Sequence, residues 1–167
     1  MRRIISILLQ NEAGALARVA GMFSARGYNI DSLTVATTHD PLVSRLTLVT
    51  YGDEAVIDQI IKQSRKLVDV LEIADLTSRD HVEAELLMVK VAIAPKRAAE
   101  LHECVGRHPG ALLSDSDGTT CTIRFAGSSA EVNAFLAELE TVSRVLETAR
   151  SGTAALERGE TVLMPAA

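Results

Sequence analysis

The groups in this chain best placed for chemistry are the backbone amides that follow Gly14. An apolar, strand-like segment (residues 4–9) runs into a polar turn that contains Asn11 and Gly14, and a helical pattern starts directly after it. The first amides of a helix have no acceptors within the helix and carry the positive end of its dipole. A glycine at this point lets a ligand approach the backbone closely. The pattern therefore predicts a seat for a carboxylate or a phosphate.

The ionisable side chains predict no second centre. His102, Cys104 and His108 are metal-ligating residue types, but their helical spacing does not bring all three onto one face, which favours surface or core roles. Asp115 and Asp117 resemble a pair of catalytic carboxylates, yet beside a glycine they are more typical of a turn. No Ser-His-Asp set stands out. We therefore predict no catalytic residue and no metal site in this chain.

Composition excludes several classes of protein. Apolar residues make up 47% of the chain and aromatic residues 3%, which predicts a core of Ile, Leu, Val and Ala. The net charge of −5 and the few aromatic residues are unlike those of nucleic-acid binders. The two cysteines form no C-x-x-C pair, which argues against a disulfide scaffold and a zinc site. The apolar start stops at Gln10, too early for a secretory signal, and no segment reaches the length of a membrane span, so we expect a soluble cytoplasmic protein.

Hydrophobic periodicity predicts six elements in the first half of the chain. Strands are expected at residues 3–9, 29–37, 44–51 and 69–76, and helices at 15–26 and 53–66. In the first helix Leu16, Val19, Ala20 and Phe23 form one apolar stripe that we interpret as core. Gly27 is a plausible end for this helix. A polar stretch at residues 77–81 is the best candidate linker.

The second half repeats the same order. Strands are expected at residues 85–93, 111–114, 119–125 and 142–149, with a tail from residue 150 to 167. Pro95 suits the first turn of one helix, and Ser128 with Glu131 fits a capping box that opens the other. Asp117 and Gly118 predict a tight hairpin turn between two of the strands.

The order β-α-β-β-α-β, found twice, is that of the ferredoxin-like motif. We therefore predict an α+β protein with two tandem ferredoxin-like domains, at residues 1–77 and 83–167, each an antiparallel sheet with two helices on one face. A unit of about 75 residues buries a modest area, so an open sheet face or edge invites a partner. A homo-oligomer is expected, most simply a dimer.

Two segments carry a family resemblance. Asn-Glu-Ala-Gly-Ala-Leu-Ala-Arg-Val at residues 11–19 and Arg-Gly-Tyr-Asn-Ile-Asp-Ser-Leu-Thr-Val at 26–35 resemble the ACT domain of the small, regulatory subunits of acetolactate synthase (acetohydroxyacid synthase). The ACT domain is a small ligand-sensing module that usually binds amino acids. Residues 66–70, 149–152 and 158–159 fit that family too. The resemblance spans nearly the whole chain, and it is looser in the second half.

The resemblance implies a regulatory partner of an enzyme. Such a chain is a homodimer, has no activity of its own and binds a larger catalytic subunit that carries thiamine diphosphate, Mg²⁺ and FAD. That subunit condenses two 2-oxo acids in the first common step toward valine, leucine and isoleucine. The small subunit raises its activity and confers feedback inhibition, typically by valine. No Walker loop and no G-x-G-x-x-G motif occurs here.

The resemblance also implies where the amino acid binds, between the first loop of one protomer and the second strand of the other. The residues expected there are Asn11, Ala13, Gly14, Ala15, Leu16, Asn29 and Ile30. We expect the amides near Gly14 to bind the ligand carboxylate, and Asn11, with Asn29 of the partner subunit, to bind its ammonium and carboxylate groups.

Other interpretations of the same residues stay open. From spacing alone, Asn11 is more typical of a helix cap or turn, and Asn29 of a turn; only the combined match favours a binding site. At the level of the whole chain, the alternatives are a free-standing ACT sensor of another enzyme or transcription factor, and a small ferredoxin-like lyase or isomerase.

Overall fold

The computed structural model describes residues 1–165. These residues divide into two compact units, the first formed by Met1–Val82 together with the described chain from Thr153 onward, and the second by Glu83–Gly152. Each unit has its own sheet, its own pair of α-helices and its own core. The predicted α+β class is confirmed.

The first unit contains the first β-α-β-β-α-β set. Its elements are β1 (Arg2–Gln10), α1 (Ala15–Ala25), β2 (Ser32–Thr37), β3 (Val43–Tyr51), α2 (Glu54–Ser64) and β4 (Val70–Asp75). The four strands form an antiparallel sheet in the order β2-β3-β1-β4, so β2 lies at an edge. This is the ferredoxin-like order predicted from the sequence.

Helix α1 differs from its prediction on one side. Its buried residues are Ala15, Val19, Met22 and Phe23. Leu16, predicted as core, is 40% exposed, because the inward face of the helix runs through Ala15, Val19, Met22 and Phe23, which leaves Leu16 beside it. The helix ends as predicted at Gly27, whose φ of 67° is in the left-handed region that favours glycine.

The core of the first unit lies between the sheet and the two helices. It combines β1, β3 and β4 with the inner faces of α1 and α2; its buried residues are Ile5, Ile7, Leu9, Val19, Met22, Phe23, Leu46, Leu48, Ile57, Ile60 and Ile73. Since side chains alternate along a strand, the residues between these on the strands point to the opposite face of the same sheet.

That opposite face is covered by the C-terminal tail, which contains β9 (Ala154–Glu157). Ile4, Val49, Ala74, Leu76 and Ala155 form a second buried cluster, against which Leu163 packs. We call this side of the first sheet the covered face. No pattern in the sequence predicts this packing.

Polar contacts fix the tail on the covered face. Arg45 Nη2 donates to the Ala155 carbonyl at 3.0 Å, and burial lowers the pKa of the Arg45 guanidinium. Arg79 pairs with Glu157 at 2.8 Å. The tail therefore acts as a third layer of the first unit.

The second unit contains β5 (His81–Ala92), a 3₁₀ turn (Pro95–Arg97), α3 (Ala98–Gly106), β6 (Ala111–Ser116), β7 (Thr120–Gly127), α4 (Ser129–Val142) and β8 (Arg144–Arg150). The strand order β6-β7-β5-β8 repeats that of the first sheet. The predicted capping box at Ser128 and Glu131 is present.

The second core lies between this sheet and α3 and α4. Leu87, Val89 and Val91 on β5 face it, together with Phe125 and Phe135, whose rings stack at a centroid distance of 4.8 Å. Alternate residues of the strands point away from the helices to a side that we call the exposed face.

The division of the chain differs from the predicted boundaries at its C-terminal end. The predicted second domain runs over residues 83–167, whereas the described residues from Thr153 onward pack in the first unit. The physical reason is the covered face, since Ile4, Val49 and Leu76 need a partner that the two helices cannot supply. Among residues 1–165, no helix is long and apolar enough to cross a membrane.

Candidate functional site

The loop between β1 and α1 presents free backbone donors. Gly14 is the N-cap of α1, with a φ of 89° and no side-chain capping bond. The Ala15 amide donates to the Glu12 carbonyl at 3.2 Å, and the helical ladder begins with the Arg18 amide and the Gly14 carbonyl at 2.9 Å. Within residues 1–165, this leaves the amides of Leu16 and Ala17 without a hydrogen-bond acceptor.

This helix start is unlike two others in the same chain. In α2 the side chain of Asp53 accepts from the Val56 amide, and Glu54 follows in the first turn. In α4 the capping box of Ser128 and Glu131 does the same. The first turn of α1 has no acidic residue and no side-chain cap. The N-terminus of α1 therefore keeps its positive potential and its donors for an anion from outside the chain.

Asn11 holds the loop against the turn between β2 and β3. Its Nδ2 donates to the Pro41 carbonyl at 2.9 Å, and its Oδ1 accepts from Ser44 Oγ at 3.0 Å. Its own amide donates to the Leu42 carbonyl at 2.8 Å. Asn11 therefore tethers a turn and does not cap α1. Each end of its side-chain amide still has room for a second hydrogen bond.

A charged pair lies beside Gly14. Arg18 forms two parallel hydrogen bonds to Asp69, one from Nε to Oδ2 and one from Nη2 to Oδ1 at 2.7 Å. The Asp69 side chain is 3% exposed and that of Arg18 46%. The hydrogen bond from Arg18 holds the pKa of Asp69 below its ordinary value, against the opposing effect of burial. A buried carboxylate thereby anchors an arginine at the candidate site.

Asn29 and Ile30 lie in the segment before β2, not within a strand as predicted. The Asn29 carbonyl accepts from Thr50 Oγ1 at 2.6 Å, and its side chain is exposed. Ile30 is half-buried against the core. Their places in the fold are therefore distinct, because Asn29 points to solvent and Ile30 packs inward.

Within one chain these two residues are far from the loop. Ser32, at the start of β2, is level with Val49 and Ile4, whereas the end of β2 is level with Leu9. Five residues of strand separate the two levels, which is roughly 16 Å. The fold brings five of the predicted residues together at the loop and the first turn of α1, and it places Asn29 and Ile30 at the opposite end of the sheet. The five are Asn11, Ala13, Gly14, Ala15 and Leu16.

Sequence reasoning missed three groups at this loop. The Ala17 amide is one of the two free donors, whereas the predicted Ala15 amide is used within the loop. Arg18 stands four residues after Gly14, one helical turn away, which is a readable signal. Asp69 is distant in sequence, and no local pattern pairs it with Arg18.

The other candidate residues have structural roles. Cys104 is buried in the second core, His102 Nδ1 lies 2.8 Å from the Ala98 carbonyl and His108 Nε2 2.7 Å from Glu138. Asp117 accepts from the amides of Thr119 and Thr120 in the predicted hairpin turn, which lowers its pKa far below the ordinary value. In the described part of the chain, no cluster of three or more His, Cys, Asp or Glu side chains is arranged to hold a metal ion.

Two family models match this chain, one in each half. A family model described as an AHAS small subunit-like ACT domain matches residues 5–72. A second model, described as the small subunit of acetolactate synthase, matches residues 84–159. The fold and the first match thus define an ACT-domain protein, and the second half matches a family model of its own.

Individual relatives extend along almost the full chain. The acetolactate synthase isozyme 3 small subunit of Salmonella typhimurium is 47% identical, covering 98% of this chain and 99% of the relative. The small subunit of Haemophilus influenzae is 41% identical, covering 96% and 98%. A crystal structure of the Thermotoga maritima small subunit has a TM-score of 0.86 at 31% identity, covering 96% and 99%. The chain belongs to the acetolactate synthase small-subunit family, which confirms the resemblance and gives it a regulatory role.

Proposed function

We propose that this chain raises the activity of an acetolactate synthase catalytic subunit and confers feedback inhibition by a branched-chain amino acid, typically valine. The amino acid binds where two ACT domains meet in a homodimer. The observation that carries this proposal is the start of α1, where the amides of Leu16 and Ala17 have no acceptor in the described chain and no acidic residue compensates the helix.

The strand order supports a site shared by two copies. β2 pairs with β3 on one side and is the edge strand of the sheet formed by residues 1–165. If two such edges meet about a two-fold axis, they run antiparallel, and each end of one β2 lies beside the opposite end of the other. The segment with Asn29 in one protomer then approaches the Asn11–Gly14 loop of its partner. A separation of roughly 16 Å within one chain thus becomes a juxtaposition between chains.

The loop offers complementary groups for an α-amino acid. The Leu16 and Ala17 amides bind the carboxylate, and the spare capacity of Asn11, with Asn29 of the partner subunit, binds the ammonium and carboxylate. The side chain of Leu16 is 40% exposed and provides an apolar contact for a branched side chain. Two or three charge-assisted bonds of about 1.5–3 kcal/mol each leave micromolar to millimolar affinity after ordering costs.

The ligand would act through the dimer. Because it bridges two protomers, its binding shifts their geometry, and a coupling of roughly 1–3 kcal/mol suffices for feedback control. The catalytic chemistry belongs to the large subunit, on which we place thiamine diphosphate, Mg²⁺ and FAD. The cytoplasmic location stays a prediction.

Gly14→Asp tests the binding site. The new carboxylate occupies the position of the ligand's own and is expected to abolish inhibition by valine while stimulation of the large subunit is retained. Gly27→Asp is the control for the strain of a side chain at positive φ, because φ is 67° at Gly27 and 89° at Gly14. A Cβ at Gly27 would meet nothing within 4 Å, whereas at Gly14 it would lie 2.9 Å from Nη1 of the flexible Arg18 side chain. Full valine sensitivity in the Gly14 variant would remove the loop from the proposal.

Reconstitution tests the partner. Mixing the purified chain with an acetolactate synthase large subunit is expected to raise turnover several-fold and to give co-elution in gel filtration, whereas the chain alone gives negligible condensation of 2-oxo acids. Binding of valine without stimulation or co-elution would favour the alternative, a free-standing sensor of another enzyme or transcription factor.

A further inference from the structure

We propose that Arg18 is a positioning residue for the α-carboxylate of the effector and that the buried Asp69 holds it in place over Gly14. An effector with a free carboxylate is then preferred over the corresponding amino-acid amide, which lacks that charge. This inference rests on the proposed function, since it concerns how the same site recognises its ligand.

The position of the guanidinium is the first observation. A Cβ built on Gly14 would lie 2.9 Å from Arg18 Nη1, so this nitrogen lies directly over the glycine that opens α1. Nε and Nη2 are both used by Asp69. In the described chain Nη1 has no hydrogen-bond acceptor.

The anchoring of Asp69 is the second observation. Its side chain is 3% exposed, and its carbonyl accepts from the Gln10 amide at 2.9 Å, immediately before the loop. The Asp69 carboxylate is therefore buried and fixed, and it holds Arg18 at this position. Because the guanidinium is planar and bound at two of its nitrogens, the N–H donors of the third point in a fixed direction. A ligand that binds there therefore loses less affinity to the ordering of the Arg18 side chain.

The charges around Arg18 fit an added anion. Asp69 neutralises the guanidinium inside the protein, and the exposed Glu12 is the other acidic group that acts on it. A ligand carboxylate at the Leu16 and Ala17 amides would gain a charged donor from Nη1 without displacing Asp69. It would also be repelled by Glu12, so the helix amides and Arg18 together must outweigh that repulsion.

A purely structural role of the Arg18–Asp69 pair would give a different pattern of ligand affinities. If Arg18 only satisfied Asp69, its replacement would change stability but would weaken all ligands equally. If Arg18 binds the carboxylate, its replacement weakens ligands that have this group and spares those that lack it. The discriminating quantity is the ratio of affinities for L-valine and L-valinamide, which differ only at that end.

The experiment uses the full chain and isothermal titration calorimetry with these two ligands. The wild-type protein is expected to bind L-valine at least about tenfold more tightly than L-valinamide, the size of one lost charge-assisted bond. The double variant Arg18→Gln with Asp69→Asn keeps a neutral hydrogen-bonded pair and is expected to lose most of this ratio. Arg26→Gln is the matched control, because it removes the same charge at the other end of α1, where Arg26 bonds Gln63.

Each outcome decides the point. An unchanged ratio in the double variant would overturn the role of Arg18 while leaving the proposed function intact. A wild-type chain that binds neither ligand would overturn the proposed function itself. Should the double variant fail to fold, Arg18→Lys is the second variant, because it keeps the positive charge and removes the paired N–H donors of the guanidinium. It is expected to lower the ratio of affinities severalfold. An unchanged ratio in Arg18→Lys would also overturn the role of Arg18.

Discussion

The two sheets of this protein have the same strand order but different surroundings. Both place two helices on one face. The covered face of the first sheet buries Ile4, Val49 and Leu76 under the C-terminal tail. The exposed face of the second sheet presents Leu86 and Met88, which are 43% and 46% exposed. One topology thus supports a three-layer unit and a two-layer unit within a single chain.

The burial patterns of the two central strands, β1 and β5, reflect this difference. In β1 six consecutive residues are buried, from Ile4 to Leu9, whereas β5 alternates between buried and exposed residues. A strand buried on both faces has a nearly continuous apolar run, whereas a strand with one solvent-exposed face alternates between apolar and polar residues. The central strand therefore indicates whether a βαββαβ unit needs a third layer, even though the helices on the other face are equivalent.

Removing the tail is expected to have the largest effect. A chain that ends at Gly152 uncovers Ile4, Val49 and Leu76, and we expect the first unit to lose about 5 kcal/mol or more, since each buried aliphatic side chain contributes about 1.5–3 kcal/mol. That approaches the total stability of a typical domain. Tyrosine fluorescence during urea unfolding measures it, because Tyr28 and Tyr51, the two tyrosines of the chain, both lie in the first unit.

A shorter truncation is the control. A chain that ends at Leu163 keeps the residue that packs on the covered face and removes Met164, which is exposed. Its unfolding midpoint should match that of the full chain. Equal stability of the chains ending at Gly152 and at Leu163 would mean that the tail contributes nothing as a third layer.

A pair of leucine substitutions sharpens the same comparison. Leu76→Ala on the covered face is expected to destabilise the first unit by about 2–5 kcal/mol, because it removes a fully buried side chain. Leu86→Ala on the exposed face should stay within about 1 kcal/mol of wild type. Far-UV circular dichroism follows both units during denaturation. Similar losses for the two variants would contradict the distinction between the faces.

Much of the fold could be predicted from local patterns. The alternation and helical stripes gave the order of elements, and the hairpin at Asp117 and the capping box at Ser128 are present as predicted. These signals come from residues that are close together in the sequence, so the sequence alone reveals them. The packing of the tail is not, because a segment as short as β9 (Ala154–Glu157) has no periodicity of its own and its partners, which range from Ile4 to Leu76, are far away in the sequence.

The candidate site shows the same limit. Gly14 and the start of α1 followed from the run of strand, turn and helix. The exposure of Leu16 did not, because the stripe that contains it is equally compatible with an inward face. The bond between Arg18 and Asp69 depends on β4 lying beside β1, and tertiary pairings of this kind leave no mark in local spacing.

The smallest expected effect concerns acid stability, which compares one paired carboxylate in each unit. Arg18 lowers the pKa of Asp69 below its ordinary 3.8, and Arg107 with His108 lowers that of Glu138 below 4.5. A carboxyl group whose pKa is depressed by folding contributes its stability above the unfolded value and loses it as the pH falls through the folded value. Both units should therefore weaken below about pH 4.

Neutral substitutions separate the two contributions. Asp69→Asn is expected to flatten the acid loss of stability in the first unit, measured by tyrosine fluorescence in urea between pH 7 and pH 3. Glu138→Gln should leave that signal unchanged and flatten the loss in the second unit, followed by amide hydrogen exchange of β7. Because the Asp69 side chain is 3% exposed and that of Glu138 33%, solvent screens the second pair more, and its effect should be the smaller. A tyrosine signal that responds equally to both variants would mean that the two units unfold together. The covered and the exposed face would then have to be compared through the stability of the whole chain.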